Sequence, residues 1–137
     1  MTNYSAVARS NYVHVSDMAG LVRALKPFES LCVIRDSIDS ERYGIFCSFG
    51  GWAEIGCDKE VEFEPEMHVM PYIKEGEVFI MLEVGSEKLK NLVGSAYAYI
   101  RTADNEIHRC SIDIADIYNL ASESFKVPRK SITEAES

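Results

Sequence analysis

The spacing of apolar residues along the chain predicts several short strands and two longer helices. Apolar residues alternate over residues 11–15, which is typical of a short strand. After the Ser16-Asp17 cap they recur every three or four positions, which predicts a helix that ends at Pro27. A second helix is predicted from Asp113 to Val127-Pro128. The predicted inner faces of the two helices consist of Met18, Leu21, Val22 and Leu25, and of Ile114, Ile117, Tyr118, Ala121 and Phe125.

Five further apolar runs predict strands. The continuous run at residues 31–34 indicates a strand covered on both faces or near the middle of a sheet, and residues 43–49 resume as its hairpin partner. Residues 78–82 form the strongest strand pattern and are predicted to be central. Residues 96–100 and 107–112 flank a tight turn and predict a second antiparallel pair.

Two connecting segments have weaker helical patterns. Residues 66–73 have helical spacing, but Pro71 inside the segment limits the helix to about one or two turns. Ser86 is predicted to cap a short helical turn that carries Leu89 and Leu92.

The order of these elements indicates the fold class. Strands outnumber helices, and most connections are too short for a parallel crossover. The sequence therefore predicts a single α+β domain over residues 1–128, with an antiparallel sheet of about five to six strands and two main helices packed on one face. Residues 129–137 are polar and are predicted to be a frayed tail.

Length and composition narrow the functional classes. A chain of 137 residues is the size of one domain, and its net charge of −8 opposes direct binding to nucleic acid or to an anionic membrane. No apolar run approaches the roughly 18 residues of a membrane span. The first residues lack the apolar stretch of a secretory signal, so a cytoplasmic location is expected.

The cysteines and histidines do not match a known metal or redox motif. No Cys-x-x-Cys pair is present, and Cys32 and Cys47 stand among apolar residues, where they are predicted to be reduced core thiols. His108 and Cys110 would share one face of a strand, but a closed metal site needs about four ligands. The sequence therefore predicts no metal site and no cofactor.

Catalytic chemistry is predicted only as an alternative. The glycine patterns match neither nucleotide-binding fingerprint, and no Gly-x-Ser-x-Gly turn is present. A cysteine–histidine pair remains open, either Cys57 with His68 or Cys47 with His14. No catalytic residue is assigned on this basis.

Charge is concentrated in one segment of the chain. Residues 54–77 contain eight acids and two bases, so this segment alone has a net charge of −6. Residues 60–66 alternate strictly between glutamate and other residues, and in an extended strand the glutamates would form one row spaced about 6.5–7 Å apart. Val61 and Phe63 would then anchor the other face, and Pro65 indicates a strand end or an edge position.

This acidic segment has two interpretations. One is a solvated charged edge that discourages sheet-to-sheet aggregation. The other is a recognition surface for a basic partner, because spaced carboxylates can occupy lysine and arginine positions that otherwise bind phosphates. The residues predicted to bind such a partner are Trp52, Glu54, Asp58, Glu60, Glu62, Glu64 and Glu66.

Aromatic residues on one predicted strand raise a different possibility. Tyr97 and Tyr99 could stack on bases, but base stacking needs an accompanying basic groove, for which Arg101 and Arg109 are the only nearby candidates. A face that packs on a helix or contacts a partner protein is the favoured interpretation of the two tyrosines.

Several stretches spread over the chain carry a resemblance. They are Ala8–Val13 with Ser16-Asp17, Glu75–Val78, Met81–Leu89, Leu92–Gly94 with Ala98, and Asp116–Ala121. Together they resemble small uncharacterised acidic proteins carried by bacterial plasmids, phages and integrated elements. The resemblance implies a mobile-element setting, in which small acidic proteins include anti-CRISPR and anti-restriction proteins, some of which mimic DNA.

The first functional hypothesis is therefore a non-enzymatic mobile-element protein that binds and inhibits a host defence complex. Its acidic surface would act against a basic nucleic-acid-binding protein in the cytoplasm of the bacterial host. The alternatives are a small cytosolic enzyme or ligand-binding domain with a cleft around Cys57, His68 and the Gly50-Gly51 loop, or an assembly subunit without activity of its own. A homodimer is also left open.

Overall fold

One antiparallel sheet organises the chain in the computed structural model, which describes residues 4–48, 50–52, 62–87 and 91–133. The strands in these residues are β1 (Tyr4–Ser10), β2 (Val13–His14), β3 (Leu31–Arg35), β4 (Arg42–Cys47), β5 (Val78–Glu87), β6 (Asn91–Arg101) and β7 (Ile107–Asp113). The helices are α1 (Met18–Leu25), α2 (Pro65–His68) and α3 (Asp116–Phe125), with 3-10 turns at Met70–Tyr72 and Arg129–Ser131. This arrangement confirms the predicted single α+β domain with an antiparallel sheet.

The strand order across the sheet is β3-β4-β1-β5-β6-β7, and β2 continues the line of β1 along β4. The predicted hairpins β3–β4 and β6–β7 both form, and β5 is central, between β1 and β6. None of the described helices is long and apolar enough to cross a membrane.

Two sequence predictions about the sheet were wrong, and one strand was not predicted. The run at 31–34 is not central, because among the described strands it pairs only with β4, although its residues are half-buried on both faces. Ser86 does not cap a helical turn, because β5 extends through it and pairs with Leu92 of β6. The first strand, residues 4–10, was not predicted, because its small and polar residues do not form a clear alternation of apolar and polar positions. Pairing with β4 and β5 stabilises it instead.

A side chain replaces backbone pairing where β1 passes into β2. The Asn11 Nδ2 group donates to the Val78 carbonyl at 3.0 Å, and its Oδ1 accepts from the Ile80 N–H at 2.8 Å. The Asn11 N–H also donates to the Ile80 carbonyl at 3.1 Å. The side chain thus satisfies two backbone groups of β5 that would otherwise lack partners.

Replacement of Asn11 by alanine is expected to lower the free energy of unfolding by about 1–3 kcal/mol, because it leaves a backbone donor and acceptor of β5 unpaired. Urea denaturation measures this change. Asn119→Ala on an exposed position of α3 is the matched control and should change stability by less than about 0.5 kcal/mol. Equal effects of the two substitutions would contradict this role of Asn11.

The hydrophobic core lies on one face of the sheet, under α1 and the segment from α2 to Ile73. The Asp17 carboxylate accepts from the Gly20 N–H at 3.0 Å, which confirms the predicted cap of α1. Val22 is 52% exposed, so the buried stripe of α1 is narrower than predicted. The buried residues that form the core are Val13, Leu21, Leu25, Phe28, Ile45, Val69, Met70, Ile73, Phe79, Met81 and Tyr99.

The second main helix forms where the sequence predicts it, but α3 does not pack on the core. It buries none of its residues, and Ile117, Leu120 and Phe125 are 55%, 56% and 75% exposed. An amphipathic stripe predicts that a helix has an apolar face, and it does not identify the surface that covers that face. The predicted packing of both helices on one face therefore holds only for α1.

Candidate functional site

Trp52 is held beside β5 by two hydrogen bonds. Its backbone N–H donates to Glu83 Oε1 at 2.7 Å, and its indole Nε1–H donates to the Leu82 carbonyl at 3.1 Å. A Cβ atom at position 51 would collide with the Glu83 carboxylate, so the glycine before Trp52 permits this close approach. The half-buried indole thus has a defined position over the sheet.

Aromatic rings connect Trp52 to the acidic segment. Its ring stacks on Phe63 with centroids 6.3 Å apart, and Phe63 stacks in turn on His68 at 6.0 Å. Phe28 meets Phe63 and His68 edge-on, at 5.4 Å and 4.8 Å. Because Phe28 is 2% exposed, this stack ties the segment around Phe63 to the core.

The structure places the predicted glutamate row differently from an extended strand. Glu62 and Glu64 are exposed while Phe63 packs against the core, so the predicted alternation of outward and inward side chains holds over these three residues. Pro65 then begins α2, which moves Glu66 into the first helical turn. Proline suits the start of a helix because its fixed φ is helical and a first-turn N–H needs no partner. A single row of four glutamates was therefore wrong, and Glu54, Asp58 and Glu60 lie outside the described residues.

Glu64 and Glu66 instead form one wall of a cleft of about 590 Å³. The opposite wall is the sheet, where alternate residues of β5 and β6 point to this side, and Arg109 of β7 lies opposite Tyr99. We call this the acidic cleft, and its lining includes Trp52, Phe63, Glu64, Glu66, Glu83, Tyr97, Tyr99 and Arg109.

The electrostatics of the acidic cleft favour a cation. Three carboxylates line it against one guanidinium. Tyr99 is 4% exposed, and burial raises the pKa of its hydroxyl, with a further increase from the nearby Glu66 carboxylate. A hydrogen bond with Arg109 opposes that rise in pKa, so the arginine of the cleft is engaged by the tyrosine.

No family model, curated protein or solved structure matches this chain. The resemblance to mobile-element proteins therefore stays a prediction. Arguments about function depend on the geometry of the acidic cleft and on the distribution of charge.

Sequence reasoning found part of this site and missed the rest. It named Trp52, Glu64 and Glu66 as partner-binding residues, considered Arg109 only as a basic neighbour of the two tyrosines, and did not name Glu83. A signal for Glu83 was present, because Phe79, Met81 and Glu83 alternate and the first two are core residues. The position of Arg109 in the cleft could be predicted only with the register of β6 and β7, which places Arg109 opposite Tyr99.

Of the two possible cysteine–histidine pairs, only Cys47 with His14 lies wholly within the described residues, and that pair does not assemble. His68 Nδ1 accepts from the Glu64 N–H at 2.9 Å, so this ring stabilises the start of α2, while Cys57 lies outside the described residues. His14 lies opposite Arg42, the first residue of β4, and Cys47 is the last residue of that strand. The rise per residue of a strand places Arg42 and Cys47 roughly 17 Å apart, so His14 and Cys47 are far from each other. The Cys47–His14 pair is therefore not a catalytic pair.

The other thiols behave as the strand pattern predicts. Cys47 is buried, and its Sγ donates to the Gly51 carbonyl at 3.7 Å, while Cys32 is half-buried in β3. Cys110 is exposed and shares a face of β7 with His108, whose Nε2 lies 3.4 Å from a Glu106 carboxylate oxygen.

An ionic cluster around His14 joins β2, the β3–β4 loop and the start of β5. His14 Nδ1 lies 3.0 Å from Glu77 Oε2, and His14 Nε2 lies 3.1 Å from Asp39 Oδ2. The hydrogen bond that the His14 ring donates to the Glu77 carboxylate is the main cause that raises the pKa of His14. In the described residues, His14, Asp39 and Glu41 are the group with metal-ligand spacing, within 4.8 Å of one another, but both ring nitrogens of His14 already have carboxylate partners.

The His14 cluster should make stability depend on pH. The folded-state pKa of His14 is raised above 6.5, so its contribution is full below pH 6.5 and is lost as pH rises through the folded value. The pKa of Glu77 is lowered from 4.5, mainly by hydrogen bonds from His14, so its contribution is lost only as pH falls through that lower value. We expect His14→Gln to destabilise the protein more at about pH 5.5 than at about pH 8.5.

Urea denaturation of wild type and His14→Gln at the two pH values measures this difference. His108→Gln, at an exposed histidine whose ion pair with Glu106 is longer, at 3.4 Å, is the matched control and should show a smaller pH dependence. A loss of stability for His14→Gln that is equal at both pH values would contradict the ionic role of His14.

Proposed function

We propose that this protein is a non-enzymatic inhibitor that binds a basic, nucleic-acid-binding protein of a host defence complex. The observation that carries the proposal is the acidic cleft, in which carboxylates and aromatic rings line one concave surface. It acts in the cytoplasm of a bacterial host, on behalf of a plasmid, phage or integrated element.

The chemistry of the acidic cleft matches an arginine or lysine side chain. A carboxylate accepts two parallel hydrogen bonds from a guanidinium, and aromatic faces attract a cation placed over them. Glu64 and Glu66 supply the carboxylates, Glu83 adds negative charge while it holds Trp52, and Trp52 and Tyr97 supply partly exposed rings. Arginine satisfies both kinds of contact because its planar group stacks and hydrogen-bonds at once.

Long-range charge adds to this local recognition. The segment 54–77 has a net charge of −6, and such a concentration of charge steers an oppositely charged partner toward the cleft. Surfaces that bind nucleic acid are rich in lysine and arginine because they neutralise phosphates. A defence complex that reads DNA or RNA offers such a surface, and the mobile-element resemblance provides the reason to inhibit it.

Affinity capture from a bacterial lysate tests this proposal. We expect the tagged wild-type protein to recover a basic nucleic-acid-binding complex, and increasing salt or excess DNA to release that complex. Glu64→Gln/Glu66→Gln should recover much less of it.

A control with the same change in net charge is Glu29→Gln/Glu75→Gln, at two exposed positions outside the cleft lining. It should recover as much of the complex as wild type. Capture of no basic protein, or equal capture by both double variants, would contradict the acidic cleft as the binding site.

A further inference from the structure

Trp52 is the single tryptophan of the chain and lines the acidic cleft. Its position is set by the hydrogen bonds to Glu83 Oε1 and to the Leu82 carbonyl. Its ring also stacks on Phe63 with an interplanar angle of 29°. Contacts to the backbone, the ring edge and the ring face therefore fix both the place and the tilt of the indole. A ring held in this way presents an aromatic surface of constant orientation to a group that enters the cleft.

Glu83 differs in its surroundings from the other two carboxylates of the cleft. Its Oε1 lies 2.7 Å from the Trp52 backbone nitrogen, and its side chain is half-buried, whereas Glu64 and Glu66 are exposed. A hydrogen bond from a backbone N–H to a carboxylate is charge-assisted and strong. Glu83 is therefore placed to hold the tryptophan, and the two exposed glutamates are placed to meet a partner.

Gly51 makes room for the contact between Glu83 and Trp52. A Cβ atom at position 51 would lie 2.7 Å or less from all three outer atoms of the Glu83 carboxyl group. The φ angle of Gly51 is not positive, so alanine can adopt this backbone conformation, but the carboxylate would have to move. Gly51→Ala therefore displaces the Glu83 side chain without changing the charge of the cleft.

We infer that Glu83 is a positioning residue, which acts through Trp52 and makes the acidic cleft select arginine over lysine. Because the cleft is the proposed binding site, this role rests on the proposed function. A guanidinium is planar and weakly hydrated, so it stacks on an indole while its N–H groups donate to carboxylates such as Glu64. An ammonium group is a compact and strongly hydrated point charge, which gains less from the ring. Selection therefore requires a ring at a set angle, which Glu83 maintains.

Oligo-arginine and oligo-lysine peptides of equal length measure this selection, because they have the same charge. Fluorescence anisotropy of the labelled peptides at moderate salt gives the two dissociation constants. We expect wild type to bind oligo-arginine at least about fivefold more tightly, which is the size of one cation–π contact. Glu83→Gln keeps the acceptor oxygen and removes the charge. It should weaken both peptides alike and leave their ratio within about twofold of wild type.

Glu83→Ala and Gly51→Ala should each lower the ratio roughly threefold or more, because both remove the support of Trp52. Gly51→Ala also keeps the test valid if Glu83→Ala does not fold. The matched control is Glu75→Ala, at an exposed acid outside the cleft lining, which should leave the ratio unchanged.

The fluorescence of the single tryptophan gives a second readout, which needs no peptide. Acrylamide should quench Trp52 more strongly in Glu83→Ala and in Gly51→Ala than in wild type, since the ring is no longer held against the sheet. Quenching in Glu83→Gln should equal that of wild type. Equal quenching in all four proteins would overturn the positioning role of Glu83.

Two binding results would also overturn this role. One is a ratio that falls as far in Glu83→Gln as in Glu83→Ala, because the charge of Glu83 alone would then act. The other is equal binding of the two peptides by wild type. In either case the proposed function stands as long as Glu64→Gln/Glu66→Gln still weakens both peptides, whereas loss of that effect contradicts the acidic cleft itself.

Discussion

Replacement of Glu64 and Glu66 by glutamine is expected to weaken the binding of an oligo-arginine peptide about tenfold, which corresponds to about 1.4 kcal/mol. Hydrogen bonds to charged groups contribute about 1.5–3 kcal/mol each, and partly exposed pairs contribute less. Glutamine keeps the size of each side chain and removes its charge. Fluorescence anisotropy of a labelled peptide at low salt measures the affinity.

The matched control separates a specific site from general acidity. Glu29→Gln/Glu75→Gln has the same net charge as the cleft variant but leaves the lining of the acidic cleft intact. We expect its affinity for the peptide to stay within about twofold of wild type at moderate salt, where charges more than about 10 Å apart are screened. Equal weakening in the two double variants would show that only net charge is sensed.

Replacement of Phe28 by alanine is expected to lower the free energy of unfolding by about 3–5 kcal/mol. Phe28 is 2% exposed and meets the rings of Phe63 and His68 edge-on, so its loss leaves a cavity beneath the aromatic stack. This loss is a large fraction of the stability of a typical domain. Thermal and urea denaturation measure it.

The same substitution should also affect the acidic cleft. Phe28 packs on Phe63, which stacks on Trp52 and precedes Glu64 in the cleft lining. Oligo-arginine binding should therefore weaken under conditions where the variant remains folded. Ile38→Ala, at a residue 89% exposed, is the control and should change stability by less than about 0.5 kcal/mol. A loss of stability for Phe28→Ala below about 1 kcal/mol would contradict its place in the core.

Local patterns predicted much of the fold correctly. The helical spacing and the cap at Asp17 predicted α1, and alternation with a tight turn predicted β6 and β7. The limit that Pro71 places on a helix correctly predicted that the helical segment there is short, and the structure divides it into α2 and a 3-10 turn. These features depend on neighbours in sequence, so sequence was sufficient.

The errors occurred where distant contacts decide the structure. β1 has a weak pattern of its own and is stabilised by β4 and β5, which lie far along the chain. The strand at 31–34 appeared central because its run is continuously apolar, whereas among the described strands β3 pairs only with β4. Helix α3 was expected to pack on the sheet, and a sequence pattern does not reveal whether the covering surface belongs to the same chain.

The candidate site depends both on local sequence patterns and on contacts between distant residues. Its glutamates were visible as a concentration of charge, but their partners across the cleft depend on the register of three strands. Glu83 and Arg109 come from β5 and β7, and they meet Trp52 and Glu66 only in the folded sheet. The acidity first seen as a net charge is therefore better described as a shaped surface.

The most direct test of the inhibitor proposal is competition with DNA or RNA for the complex recovered by affinity capture. In an electrophoretic mobility-shift titration, wild-type protein should displace the labelled nucleic acid, and Glu64→Gln/Glu66→Gln should require about tenfold more protein to do so. A complex that holds the protein and the nucleic acid together, with undiminished affinity for each, would contradict the claim that the acidic cleft occupies a nucleic-acid-binding site.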